Sequence, residues 1–153
     1  MLNINDPAPD FNLPRDGGGT VRLGDLRGNA VVLFFYPRDD TPGCTTESIG
    51  FSTDLDAFAS AGALVFGISR DSIASHERFI AKHNLTTPLL SDETGTMCED
   101  YGVWKQKNMY GKSFMGIERT TFLIRGDGTI AQIWRKVKVP GHVEAVLNAV
   151  RAL

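Results

Sequence analysis

The stretch Ala30-Val-Val-Leu-Phe-Phe35, continued by Tyr36-Pro-Arg-Asp-Asp-Thr-Pro-Gly-Cys44, decides the fold of this chain. Its first part is a continuous run of apolar, β-branched and aromatic residues, which predicts a central strand buried on both faces. Its second part is a polar loop that ends in Thr41-Pro42, a favoured N-cap and first helical residue. We therefore expect a strand, a loop and a helix N-terminus in direct succession.

The remainder of the chain extends this unit into an α/β protein. A helix is predicted from Pro42 to Ala61, because apolar residues recur there at helical spacing and Gly62 then ends it. Further strands are predicted at 64–69, 88–91, 120–124 and 130–137, the last two forming a β-hairpin, and further helices at 72–84, 93–101 and 143–153. This order predicts a central mixed β-sheet flanked by helices.

Three segments carry weaker signals. Asp6 to Pro14 alternates polar and apolar residues around prolines and is expected to be an extended edge segment, followed by a turn at Gly17 to Gly19. Trp104 with Lys105 to Lys112 is expected to be a polar surface loop. No repeat or interdomain linker interrupts the pattern, so residues 1–153 are predicted to form a single domain.

Composition excludes several classes of protein. The chain has 153 residues, 42% hydrophobic and 22% charged, with a net charge of −2, which is typical of a globular domain and gives no basic field for nucleic acid. No apolar run approaches the roughly 20 residues that span a bilayer, and no signal peptide is visible. The two cysteines exclude a disulfide-rich scaffold and a four-cysteine zinc site. A reducing, cytoplasmic location is therefore expected.

Cys44 is the first candidate for chemistry. The predicted start of the helix at Pro42 places it at about the third helical residue, where backbone N–H groups lack intrahelical partners. The positive end of the helix dipole favours a thiolate at that position. Because burial of a cysteine requires none of this capping chemistry, the context indicates a nucleophile, with Thr41 as N-cap three residues earlier.

These residues resemble a known family. The pattern Pro37-x-x-x-Thr41-x-x-Cys44 is similar to the active-site motif of peroxiredoxins, and the longer string around it resembles the bacterioferritin-comigratory (PrxQ) subfamily. The similarity continues through Leu90-Ser-Asp-Glu, Tyr101-Gly-Val-Trp104 and Gly116 to Phe122. It implies a thioredoxin-like fold, reduction of hydrogen peroxide and organic hydroperoxides by a thiol, and no metal, haem or flavin cofactor. It also favours a monomer.

The resemblance implies a role for each matching side chain. Cys44 would be the peroxidatic nucleophile and Arg119 the cation beside the developing negative charge on the leaving oxygen. The Thr41 hydroxyl would orient the peroxide, and Pro37 would shield the thiolate from water. Glu47 matches a family position that orients the arginine, although a glutamate one turn into a helix is also a routine match to the helix dipole.

The chain departs from the family at the resolving cysteine. Many relatives carry it five residues after the peroxidatic one, where this chain has Ile49, and others carry it in the helix predicted at 72–84, which contains none. The second cysteine, Cys98, is interpreted as a packing residue, with the alternative that it resolves Cys44 in a two-cysteine enzyme. The favoured prediction is a one-cysteine peroxidase whose sulfenic acid is reduced by an external thiol such as thioredoxin, glutaredoxin or glutathione.

Other functions are weighed against this one. A dithiol oxidoreductase expects Cys-x-x-Cys, but position 47 is Glu. A peroxide sensor or chaperone-like protein would use the same thiol without steady turnover. His76 and His83 lie two turns apart without a third ligand, so no metal site is predicted. A cysteine hydrolase would need a histidine next to Cys44, and none is near in sequence.

Overall fold

The computed structural model describes all residues from Met1 to Leu153. The strands are β1 Asn12–Pro14, β2 Thr20–Arg22, β3 Ala30–Phe35, β4 Ala63–Ser69, β5 Leu89–Ser91, β6 Trp104–Met109, β7 Lys112–Ile117, β8 Thr120–Ile124 and β9 Ile130–Trp134. The helices are α1 Pro42–Thr53, α2 Leu55–Ser60, α3 Ile73–His83, α4 Met97–Asp100 and α5 His142–Arg151. No helix combines the length and the apolarity that crossing a membrane requires.

The central sheet has five strands in the order β5-β4-β3-β8-β9. Strand β3 pairs in parallel with β4 and antiparallel with β8, and the β8–β9 pair is the predicted hairpin. The predicted α/β architecture with a mixed central sheet is therefore confirmed.

Strand β3 separates two hydrophobic cores, because successive side chains of a strand point to opposite faces. Val31, Leu33 and Phe35 belong to one core, which also contains parts of α4 and of the N-terminal hairpin. Val32 and Phe34 belong to the other core, which contains residues of α1, α2, α3 and α5. A strand covered on both faces explains the uninterrupted apolar run in the sequence.

The single helix predicted from Pro42 to Ala61 is wrong, because α1 ends at Thr53 and α2 begins at Leu55. Asp54 between them has φ −97° and ψ 9°, outside the helical region. The Ser52 carbonyl, which a continuous helix would use internally, accepts a hydrogen bond from the Thr86 hydroxyl at 3.2 Å. A tertiary contact thus replaces a helical hydrogen bond at the break.

Other predicted boundaries also move. The helix expected at 93–101 is confined to α4, because the Asp92 carboxylate accepts the N–H groups of Met97 and Cys98 and so starts the helix late. The strand expected to reach Val137 ends at Trp134, since Lys136 has a φ of +49°. The helix expected at 143–153 is α5, which begins one residue before the predicted start and ends two residues before the predicted end.

The polar loop predicted after Trp104 is also wrong. Strands β6 and β7 form an antiparallel hairpin, with Tyr110 at φ +52° and Gly111 at φ +75° in its turn. Both turn residues have positive φ, as in the tight turns that suit hairpins. The hairpin is largely exposed, so it lacks the apolar alternation by which a half-buried strand is recognised in a sequence. The glycine turn at 17–19 likewise joins two short strands, β1 and β2.

Candidate active site

The reactive loop lies at the carboxyl end of β3 and leads directly into α1. Thr41 is the N-cap residue with extended backbone, and its carbonyl accepts the Thr45 N–H at 2.8 Å. The Thr41 hydroxyl does not cap the helix, as the sequence suggested; it donates to the Arg38 carbonyl at 2.9 Å. Thr41 therefore braces the loop, and its hydroxyl oxygen keeps its lone pairs for other donors.

Cys44 is the third residue of α1 and is buried, with only 1% of its surface exposed. Its Sγ accepts a hydrogen bond from Nη2 of Arg119 at 3.2 Å. Arg119 directly precedes β8, which pairs with β3, so the sheet itself brings the guanidinium beside the thiol. Gly43 leaves room for this contact, because a Cβ there would lie 3.2 Å from the same Nη2.

Glu47 completes a chain of contacts through the arginine. Nη1 of Arg119 donates to Oε1 of Glu47 at 2.7 Å, one helical turn along α1 from Cys44. Glu47 is fully buried, and this burial raises its pKa to about 7 although Arg119 acts to lower it. The structure thus brings together Cys44, Arg119 and Glu47, three side chains to which the family resemblance assigned a role in the site.

Pro37 is exposed and lines a groove of about 400 Å³ beside the reactive loop. Its other walls include Arg70, which follows β4, Trp104 and Lys107 on β6, and Phe114 on β7. Partial burial and the neighbouring Arg119 lower the pKa of Lys107. The hairpin that the sequence did not predict therefore lies within electrostatic reach of the candidate site.

Sequence reasoning missed a buried network that holds the reactive loop. Oδ1 of Asp39 accepts the Tyr36 hydroxyl at 2.6 Å, and its Oδ2 lies 2.7 Å from Nδ1 of His76 on α3. Nε2 of His76 lies 2.8 Å from the Leu90 carbonyl, which only accepts, so this nitrogen carries a proton. In the sequence, the one sign of this network was an acidic residue, Asp39, within the reactive loop.

Asp39, Asp71 and His76 place potential metal-ligating atoms within 4.8 Å of one another. Each of these residues already has hydrogen-bond partners, since Asp71 accepts the Asp39 N–H at 2.8 Å and the Ser69 hydroxyl at 2.6 Å. Hydrogen bonding accounts for the cluster without a metal ion. His83 pairs instead with Asp40, at 2.8 Å, so the two histidines of α3 do not share a site.

Cys98 lies in a different part of the molecule from Cys44. It is fully buried on α4, in the core that covers the Val31 face of the sheet, whereas Cys44 belongs to the core on the Val32 face. Burial and the adjacent Asp92 carboxylate raise the pKa of the Cys98 thiol well above its usual range. The central sheet therefore separates the two thiols.

A family model described as AhpC/TSA family matches residues 4–133. The chain belongs to this family. Peroxiredoxin Bcp of Xanthomonas campestris is 49% identical over 148 residues, which are 95% of this chain and 92% of that protein. The relatives identify the chain as a peroxiredoxin of the bacterioferritin-comigratory (PrxQ) group, as the motif predicted.

Solved structures agree with this placement. The structure of a PrxQ mutant of Xylella fastidiosa superposes with a TM-score of 0.94 at 42% identity, covering 99% of this chain and 97% of that one. A structure of the Xanthomonas campestris bacterioferritin comigratory protein, described by its alkyl peroxide reduction activity, gives a TM-score of 0.88 at 47% identity, over 93% and 90% of the two chains. The thioredoxin-like fold is confirmed, and the peroxiredoxin relatives support thiol-dependent peroxidase activity.

Proposed function

We propose that this peroxiredoxin reduces hydrogen peroxide and organic hydroperoxides through Cys44 and that it uses one cysteine, as a single domain spanning residues 1–153. The observation that carries the assignment is the bridge from Arg119 to both Cys44 and Glu47, at 3.2 and 2.7 Å. The bridge holds a cation at a buried sulfur, where its effect on a developing negative charge is strongest.

In the first half-reaction the Cys44 thiolate attacks the terminal oxygen of the hydroperoxide. A sulfur–oxygen bond forms as the O–O bond breaks, and the leaving oxygen takes up a proton to give an alcohol or water. Arg119 offsets the negative charge on sulfur and on the leaving oxygen. Thr41 orients the peroxide through its hydroxyl oxygen, and Pro37 limits the approach of water to the thiolate.

In the second half-reaction an external thiol reduces the Cys44 sulfenic acid. Attack on sulfur forms a mixed disulfide and releases water, and a second thiol then returns Cys44 to the thiol while a disulfide leaves. The positions of the cysteines support this route, because a bridge requires Cα atoms within about 7 Å and the sheet lies between Cys44 and Cys98. Thioredoxin, glutaredoxin and glutathione are all thiols of the required kind.

The relatives and the open groove beside Pro37 support the proposed substrate range. The Xanthomonas relative is described by its alkyl peroxide reduction activity. In this chain the groove of about 400 Å³ carries apolar side chains, including Trp104 and Phe114, beside the reactive loop. We infer that organic hydroperoxides are accepted together with hydrogen peroxide.

Peptide mapping under non-reducing conditions tests the proposal. After one equivalent of peroxide, with a sulfenic-acid trap present, we expect the trap on Cys44 and a free thiol at Cys98. Cys44→Ser should abolish turnover with peroxide and an external thiol, whereas Cys98→Ala should retain it. A stoichiometric Cys44–Cys98 disulfide that is essential for turnover would show a two-cysteine enzyme, and stoichiometric oxidation without turnover would favour a peroxide sensor.

A further inference from the structure

One of the two oxygens of the Glu47 carboxyl group has no hydrogen-bond partner. Oε1 binds Arg119, but Oε2 is buried and unpaired. His142 faces this oxygen, and its Nε2 lies 3.9 Å from Oε2. A carboxylate oxygen without a donor is costly in a buried position, so this arrangement calls for an explanation.

The fold holds His142 firmly in this place. Its Nε2 forms a hydrogen bond of 2.8 Å with the hydroxyl of Thr121, and its ring packs edge-on against Phe51 and Trp134. Thr121 lies two residues after Arg119, so both side chains lie on the same face of the strand.

The close packing of α5 on α1 brings His142 to the carboxyl group. His142 is the first residue of α5, directly after Gly141. A Cβ at Gly50 of α1 would lie only 2.9 Å from Cγ2 of Val143, so glycine at this position allows the close approach. Two helices and a strand therefore fix the imidazole behind Glu47.

The electrostatic surroundings keep this imidazole neutral. Burial and the positive charge of Arg119 lower the pKa of His142 to about 4. The groups that face Glu47 are Arg119, which precedes β8, Cys44 on the same helix and His142 on α5. Lys107 on β6 is a further cation, and its charge interacts with that of Arg119. Glu47 thus has a cation on one side only.

We propose that His142, held by Thr121, is a positioning residue that orients the Glu47 carboxyl group and sets its protonation, and thereby controls how much positive charge Arg119 presents to Cys44. The role of Cys44 rests on the proposed function, but the effect of His142 on Glu47 does not. Above the midpoint of its titration the Glu47 carboxylate offsets the arginine charge. Below the midpoint the neutral carboxyl group leaves that charge to the sulfur and the leaving oxygen.

The titration of Glu47 can be followed without any turnover. Carbon-13 NMR of glutamate-labelled protein gives the carboxyl resonance of Glu47, assigned by its loss in Glu47→Gln. We expect a midpoint near pH 7 in the unmodified protein. His142→Gln supplies an amide donor toward Oε2 and should lower the midpoint by about one pH unit. His142→Leu replaces the polar imidazole with a hydrocarbon, which disfavours the charged carboxylate, and should raise the midpoint.

Two further variants keep the test decisive. His83→Gln changes the partly exposed histidine of α3 and should leave the midpoint unchanged. Thr121→Val preserves the shape of the side chain while removing the hydrogen bond to His142. It replaces the His142 variants as the test if these fail to fold, and it should shift the midpoint of the Glu47 titration. An unchanged midpoint in the folded His142 variants, or in Thr121→Val where these do not fold, would overturn the proposal.

The coupling to chemistry is tested by the second-order rate of peroxide reduction between pH 5 and 9 at roughly half-unit steps. We expect a Glu47-dependent fall of the rate on the alkaline side, absent in Glu47→Gln, whose midpoint follows the NMR midpoint in each His142 variant. A shifting NMR midpoint with no corresponding change in the rate profile would overturn the control of Arg119. Loss of peroxide reaction in every protein, with the NMR shifts intact, would instead contradict the proposed role of Cys44.

Discussion

Arg119 is the residue on which the geometry of the site converges. Its two terminal nitrogens are divided between a sulfur and a carboxylate, at 3.2 and 2.7 Å. A planar, forked guanidinium makes these contacts from two separate nitrogens in a fixed geometry, whereas a lysine would have to make both from one ammonium nitrogen. The position of the charge is therefore fixed by Glu47 before a peroxide arrives, which is the condition for effective electrostatic stabilisation.

Arg119→Ala should slow the reaction of reduced protein with peroxide by about 100- to 1,000-fold, because it removes a preorganised donor at the developing charge. Arg119→Lys should recover part of the loss, since it keeps the charge but not the bridge. Stopped-flow measurement of the second-order rate is the test, with Arg78→Ala, an exposed arginine on α3, as the matched control. Equal rates in Arg119→Ala and the control would remove Arg119 from the mechanism.

Thr41 offers a second test at the scale of a single residue. Its hydroxyl donates to the Arg38 carbonyl and leaves the helix uncapped by a side chain, so its loss should cost little helix stability. Thr41→Val should slow peroxide reduction by roughly 100-fold while the urea unfolding midpoint changes little, and Thr41→Ser should restore most of the rate. A large loss of stability with an unchanged rate would show that Thr41 only braces the loop.

At the scale of elements, the reactive loop is attached to α3 through Asp39 and His76. Both side chains are buried, and the pair joins the end of β3 to a helix and, through the Leu90 carbonyl, to β5. A buried charged pair is costly to break from one side, because the remaining group is left without its partner. This contact makes the loop geometry dependent on elements far away in the sequence.

His76→Gln should destabilise the protein in a pH-dependent way. Burial by itself lowers the pKa of His76, but the hydrogen bond and charge of Asp39 outweigh it, so the net pKa is raised. The stabilisation is therefore fully present below the ordinary histidine value of about 6.5 and is lost as the pH rises through the raised value. The difference in unfolding free energy from the unmodified protein should reach about 3–5 kcal/mol in acid and shrink toward alkaline pH.

Urea unfolding at a series of pH values measures this difference, with His83→Gln as control on the same helix. His83 is partly exposed and pairs with the exposed Asp40, so its replacement should have a small effect. The prediction is wrong if the difference in unfolding free energy between His76→Gln and the unmodified protein grows with pH. That result would mean that His76 is neutral in the folded protein at acid pH.

At the scale of the whole molecule, the central sheet bears on the proposed recycling of the oxidised thiol. Cys44 and Cys98 belong to cores on opposite faces, and Ile49, where many relatives carry a resolving cysteine, is exposed on α1. A disulfide between the native cysteines would require the loss of packing on at least one face, against a gain of roughly 2–4 kcal/mol for a typical disulfide. This separation of the two thiols supports the proposed reduction by an external thiol.

The protein should be sensitive to excess peroxide in the absence of an external thiol. Without a fast internal partner, the Cys44 sulfenic acid should be oxidised further to sulfinic acid, whereas the buried Cys98 should remain unmodified. Mass spectrometry of the two cysteine peptides across a peroxide titration measures both outcomes.

An engineered control sharpens this experiment. Ile49→Cys introduces an exposed thiol on α1, and after local unwinding of the helix it should form a disulfide with Cys44 and reduce sulfinic acid formation. Protection of Cys44 in the unmodified protein, at the level seen in this variant, would contradict one-cysteine recycling.

The sequence by itself determined the local features of this protein. The apolar run of β3, the start of α1 at Pro42 and the position of Cys44 in its first turn all follow from neighbouring residues. The family motif added Arg119 and Glu47 as candidate partners of Cys44. The predictions of the strand and of the helix start were confirmed because strand burial and the start of this helix depend on residues close together in the chain.

Only the tertiary structure decided how distant residues combine. Arg119 lies 75 residues from Cys44 and 72 from Glu47, and the Asp39–His76 pair is separated by 37 residues. The separation of Cys44 from Cys98 depends on the faces of a sheet whose strands come from distant parts of the chain. Such contacts depend on strand pairing and on the packing of helices over each face, and no local pattern of residues encodes which side chains then meet.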